Sequence, residues 1–131
     1  MTAIPEDLVE AGTKARENAL AEFSKFKVGS ALRTSDGAIY AGCNVENATL
    51  GLTVCAERVA LWKALSEGAR EFTEIVVVTA AARPTPPCGA CRQLLWEYCG
   101  DIPVHMATTA GASKSMPLGE LFPYAFDKDD L

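Results

Sequence analysis

With 131 residues, 49% of them hydrophobic and 22% charged, the chain has the composition of one cored globular domain and excludes a disordered or collagen-like polymer. Its net charge of −5 comes without a basic stripe, which argues against a nucleic-acid partner, because such proteins gain affinity by neutralising phosphates. The N-terminal residues MTAIPEDLVEAG carry no apolar run fit for a signal peptide or a membrane span, so a cytoplasmic protein without a membrane partner is expected.

Pro5, followed by Glu6 and Asp7, fits a helix first turn, where proline loses no needed hydrogen bond and carboxylates meet the positive end of the dipole. Leu8, Ala11, Ala15 and Ala19 then share one face. After Phe23 the periodicity changes: Val28, Ser30 and Leu32 alternate, Ser35-Asp36-Gly37 turns, and a second short run follows around Ala38 to Ala41, which predicts a hairpin. A polar loop from Asn44 to Thr53 leads to a helix from about Cys55 to Glu67, stopped by Gly68. Ile75 to Ala80 is a continuous run rich in β-branched residues, suited to a central strand covered on both faces. Cys91, Leu94, Leu95 and Tyr98 recur at helical spacing after a proline-rich loop. Ile102, Val104 and Met106 alternate beyond Gly100, with Pro103 at a strand start or edge, and a last strand follows a turn near Ala110-Gly111. With no repeat or linker, residues 1–131 read as a single domain. Its element order predicts an α/β fold, a three-layer α/β/α sandwich around a mixed sheet of about five strands.

Five cysteines cannot all pair internally, and their spacing is unlike a secreted disulfide framework. Cys88 and Cys91 stand one helical turn apart, so both sulfurs project from the same side, as a shared metal requires. Cys55 also stands at a predicted helix start, and an α/β layer can return two helix N-termini to one end of a sheet. There the dipoles favour the thiolate, the form that binds Zn²⁺. Three sulfurs leave a fourth tetrahedral position open to water, the arrangement of a catalytic rather than a structural site. Glu57 follows two residues after Cys55, placed to serve that water as a proton shuttle if Cys55 lies in irregular backbone before the helix. Two other readings stand beside this one. C-G-A-C alone also fits a thioredoxin-like redox pair, and Cys43 or Cys99 as a fourth ligand would make a structural zinc module.

The segments FKVGSAL, GCNVENA, CAERVALWKALSEG, PCGACRQ and AFDKDDL, in this order over nearly the whole chain, resemble the short homotetrameric cytidine deaminases. Their superfamily signature is H-x-E…P-C-x-x-C, here in its Cys₃ variant. The resemblance implies zinc-dependent hydrolysis of cytidine or 2′-deoxycytidine to the uridine product and ammonia, with Zn²⁺ on Cys55, Cys88 and Cys91 and Glu57 moving the proton. It implies that Asn44 and Glu46 hold the ribose hydroxyls, that Phe26 stacks near the base and that the Ala56 backbone meets the base amide. It also implies a homotetramer in which Ala48 and Phe126 reach a neighbouring subunit's site. Arg58 beside a sulfur would withdraw part of the negative charge of the zinc–thiolate centre.

Leu50 stands where the family commonly places an aromatic residue near the sugar's 5′ end. Thr85-Pro86-Pro87, Leu20 and Phe23 also depart from the usual pattern. These departures bear on the substrate, and the alternative is deamination of another aminopyrimidine nucleoside, such as blasticidin S or an N4-substituted cytidine. The single histidine, His105, at an alternating strand position, reads as a structural or surface residue. Cys43 and Cys99 read as buried thiols, and Trp62, Trp96, Phe72 and Tyr98 as core or interface packing residues.

Overall fold

The computed structural model describes residues 4–131. Helix α1 runs Glu6–Arg16, with Pro5 as its N-cap and Glu6 and Asp7 in the first turn. Strands β1 (Gly29–Thr34) and β2 (Ile39–Cys43) pair as the expected antiparallel hairpin. Then come α2 (Ala56–Ser66), β3 (Phe72–Thr79), α3 (Gly89–Cys99), β4 (Pro103–Thr108) and β5 (Ser113–Pro117). The sequence pattern did not show the 3-10 turns at Leu50–Leu52 and Lys128–Asp130, nor the four-residue α4 (Leu118–Leu121). Each is too short to carry a helical period.

The sheet has the order β2-β1-β3-β4-β5, parallel between β3 and β4 and antiparallel elsewhere. Its central strand β3 carries the β-branched run, and Ile75 to Val78 are all buried. Ile75 packs with Leu61 of α2 and Leu95 of α3, while Val76 and Val78 point the other way, toward Leu8 of α1. Helices therefore cover both faces, giving the three-layer sandwich. Two glycines set the layer spacing. A Cβ on Gly29 would stand 1.9 Å from the Gly12 carbonyl oxygen in α1, and one on Gly42 would stand 2.7 Å from the Ala60 nitrogen in α2.

This topology also fixes where the chemistry sits. Helix α2 runs against β3 to deliver the chain to its start, and α3 leaves from its end, so both helix N-termini meet beyond the C-terminal end of β3.

Two expected faces shift. Helix α1 ends at Arg16, so Ala19 is buried from the following segment, where the Leu20 N–H bonds the Asn44 carbonyl and a bridge forms to Val45. On α3 the buried stripe follows Cys91 and Leu95 to Cys99, an i, i+4, i+8 row that leaves Tyr98 exposed. Trp62 is also exposed.

On the α1 side of the sheet, His105 is tied to neighbouring strands. Its Nδ1 lies 2.7 Å from Ser115 Oγ and its Nε2 2.9 Å from Glu74 Oε1. The other Glu74 oxygen accepts from Arg33 Nε at 2.8 Å, and both Arg33 terminal nitrogens donate to Asp7 at 3.1 and 2.7 Å. The chain of contacts joins α1 to β1, β3, β4 and β5. Of the two readings its position allows, structural and surface, buried His105 takes the first.

Candidate active site

Cys55 and Cys88 are the N-cap residues of α2 and α3, both in extended backbone, and Cys91 lies one turn into α3. Their three sulfurs lie within 4.8 Å of one another, with Cys55 and Cys88 at 3.8 Å. Zinc–sulfur bonds of about 2.3 Å in tetrahedral geometry put sulfurs about 3.8 Å apart, so the donor set fits the ion. Among the described residues this is the one group of histidine, cysteine and acidic side chains with metal-holding geometry. Cys43 and Cys99 stand outside it. Burial pushes the Cys99 thiol up to about 12, as suits a core-packed sulfur.

The electrostatics of the cluster are those of a cation site. Cys55 is lowered to about 5, chiefly by the hydrogen bond from Cys91 and further by Arg58. The same bond to Cys55, with burial and neighbouring charge, drives Cys91 strongly upward. The Cys55 proton leaves readily, and the Cys91 proton stays unless a cation takes its place. Arg58 Nη2 donates to Cys55 Sγ at 3.4 Å, while its Nε is buried without a partner. This places a guanidinium against a sulfur, as the charge-tuning role requires.

Glu57 sits in the first turn of α2 with 5% of its surface exposed. Burial is the main cause that raises its carboxyl to about 7. Its oxygens are not part of the three-sulfur group. Cys55, as N-cap, occupies the irregular backbone that lets both side chains serve one site although they are two residues apart.

A cavity of about 290 Å³ opens onto this centre and is lined by Phe26, Asn44, Glu46, Ala56 and Glu57, together with Cys55 and Cys88. Larger depressions, of about 440, 860 and 390 Å³, reach none of the three clustered cysteines and no buried carboxyl. Ala48 lines the second of these with Leu20 and Phe23, away from its own chain's cavity. Phe126 is 55% exposed, with its carbonyl held by Gln93 Nε2 at 2.8 Å. Leu50 is 69% exposed and does not line its own chain's cavity, because the turn at Leu50–Leu52 carries it out into solvent.

Asn44 and Glu46 are not free arms. Asn44 Oδ1 accepts from the Val28 N–H at 2.9 Å and its Nδ2 donates to the Phe26 carbonyl at 2.8 Å. Glu46 accepts from the N–H groups of Phe23 and Ser24, both at 2.9 Å, and from the Ser24 hydroxyl. The Ser24 hydroxyl is the first cause that holds the Glu46 carboxyl below its usual value. Ser24 and Thr53 also line the cavity and were not anticipated, and Thr85 and Pro86, among the departures read as bearing on the substrate, line it too. Thr85 Oγ1 is tied to Thr79 Oγ1 at 3.0 Å, a contact between a loop and a strand end that no local pattern encodes.

Residues 3–106 match the family model described as the cytidine and deoxycytidylate deaminase zinc-binding region. A cytidine deaminase of Sporosarcina psychrophila is 46% identical over 127 residues, covering 96% of this chain and 93% of the relative. A blasticidin-S deaminase of Bacillus cereus is 32% identical over 131 residues, covering 94% of this chain and 92% of that protein. The crystal structure of cytidine deaminase from Burkholderia pseudomallei superposes with a TM-score of 0.89 at 45% identity, covering 95% of this chain and all of that one.

Proposed function

The chain belongs to the cytidine and deoxycytidylate deaminase family, and from that premise we propose a residue-level account of how it hydrolyses the 4-amino group of cytidine and 2′-deoxycytidine. It is a zinc-dependent hydrolase. Cys55, Cys88 and Cys91 would hold the ion, which would supply a Lewis acid and, from water, a nucleophile at neutral pH. The observation that carries this reading is the buried Glu57 carboxyl beside three clustered sulfurs on the wall of a cavity of about 290 Å³.

In this account Glu57 accepts one proton of the water that adds to C4 and passes it to N3 of the ring, then takes the second from the hydroxyl now on C4 and gives it to the departing amine. Bond making and breaking balance as water plus the aminopyrimidine giving the 4-oxo product and ammonia. Phe26 lies against the base, and Asn44 and Glu46 take the sugar hydroxyls with the acceptor and donor capacity their internal bonds leave free. The Ala56 backbone, at the first turn of α2, meets the base amide. Arg58 draws charge from Cys55.

The whole chain acts as one catalytic domain. Exposed Leu20, Phe23, Leu50, Leu52 and Phe126 are apolar surface suited to burial between copies, in keeping with a homotetramer in which Ala48 and Phe126 serve a neighbour's site. Five free cysteines suit a reducing compartment, the cytoplasm. Among the described residues no helix is long and apolar enough to cross a membrane.

A spectrophotometric panel of cytidine, deoxycytidine, cytosine, blasticidin S and N4-acylcytidines tests the reading. Cytidine and deoxycytidine are converted with release of ammonia, and faster turnover of blasticidin S than of both would contradict the substrate assignment.

A further inference from the structure

Between α1 and β1 the chain passes the cavity without regular secondary structure, yet this segment carries Phe26. Both backbone groups of Phe26 are held by side chains that line the same cavity. Its N–H donates to Ser24 Oγ at 3.0 Å, and its carbonyl accepts from Asn44 Nδ2 at 2.8 Å. The Ser24 hydroxyl in turn donates to Glu46 Oε2. One oxygen atom therefore connects the carboxylate assigned to the sugar with the backbone of the residue assigned to the base.

The residue between them is constrained as well. Lys25 has a φ of 60°, in the left-handed region that non-glycine residues rarely adopt. Its N–H bonds the Ala21 carbonyl at 2.9 Å, and the Ser24-to-Phe26 hydrogen bond spans it on the other side. Ser24 itself is exposed, so its hydroxyl contributes little to the core. Its contacts instead set geometry at the cavity wall.

We propose that Ser24 is a positioning residue, which aims Glu46 and Phe26 together and so couples recognition of the sugar to placement of the base. The proposal rests on the sugar-binding role given above to Asn44 and Glu46. Removing the hydroxyl leaves the Glu46 carboxylate with its two backbone donors on one oxygen and frees the other oxygen to rotate away. A group aimed at a substrate hydroxyl then loses discrimination before it loses chemistry.

The test is the ratio of kcat/KM for cytidine over 2′,3′-dideoxycytidine in the zinc-loaded enzyme, for wild type, Ser24→Ala and Ser24→Thr. Wild type prefers cytidine by at least about 10²-fold, because a site built to bond hydroxyls rejects the analogue that lacks them. Ser24→Ala lowers that preference about tenfold, because the KM for cytidine rises more than that for the dideoxy substrate, whose smaller rise reports the freed Phe26 backbone, and Ser24→Thr restores both. Added to Glu46→Ala, the Ser24→Ala change costs no further discrimination. Should Ser24→Ala not fold, Ser24→Cys is read in the same way, its thiol being a weak donor. Equal loss on both substrates, with the preference intact, would overturn the proposal and leave Ser24 a purely structural residue. A wild type that treats both substrates alike would instead overturn the sugar-binding reading of Asn44 and Glu46, and the proposal with it.

Discussion

The Cys55–Cys88–Cys91 cluster and the Asp7–Arg33–Glu74–His105–Ser115 chain both gather ionisable side chains from several elements, but they resolve their charge differently. In the second, Glu74 gives one oxygen to His105 and the other to Arg33, and Arg33 ends on Asp7. Every member finds its partner within the protein. In the first, three sulfurs crowd within 4.8 Å and the Glu57 carboxyl is buried beside them. The comparison teaches that a satisfied network holds strands together, whereas one left short of a positive charge marks where a ligand belongs.

Breaking the first cluster has the largest effect. Cys91→Ala removes a buried sulfur, and the account expects loss of zinc by elemental analysis and activity at background. A fall in Tm accompanies it, because metal bound only by the folded state is also folding free energy. Breaking the second network has a smaller effect of another kind. His105→Ala leaves Glu74 Oε1 and Ser115 Oγ without their partner, which costs about 1–3 kcal/mol of unfolding free energy. Urea denaturation reads that loss, while zinc content and kcat/KM stay at wild-type values.

The smallest effect sharpens the contrast at the exposed end of the chain. The hydrogen bond from Arg33 holds the Asp7 carboxyl below its usual value. Such a group contributes stability fully above its unfolded pKa and loses it as pH falls through the lower folded value. Asp7→Asn therefore flattens the acid limb of a Tm-against-pH curve below about pH 4, with little change at neutral pH.

How much of this the sequence revealed follows from the range of each interaction. Cys55, Glu57, Cys88 and Cys91 were legible because each pair lies within one turn of a helix start, and helix starts have local signals. The three-layer sandwich was legible because the run Ile75 to Val78 cannot face water on either side. The bracing of Phe26 by Asn44 and the pairing of His105 with Glu74 were not, since these partners stand 18 and 31 residues apart. Only sheet register brings them together. Asn44 and Glu46 were read as reaching for a ligand, and the structure adds that they first hold the cavity wall. Leu50 was read as standing near the sugar's 5′ end, and the short 3-10 turn, which has no periodic signal, carries it outside its own chain's cavity.

The central claim is that Glu57 moves the proton at a zinc site built by three cysteines, and Glu57→Gln tests it most directly. The amide keeps the size and burial of the carboxyl but cannot accept and return a proton. Zinc content, Tm and kcat/KM for cytidine are measured on the same preparation. The account predicts one zinc per chain and an unchanged Tm, with kcat/KM reduced by at least about 10²-fold, the lower end of what general acid–base catalysis contributes. Retention of activity within about tenfold of wild type by a fully zinc-loaded Glu57→Gln enzyme would contradict it.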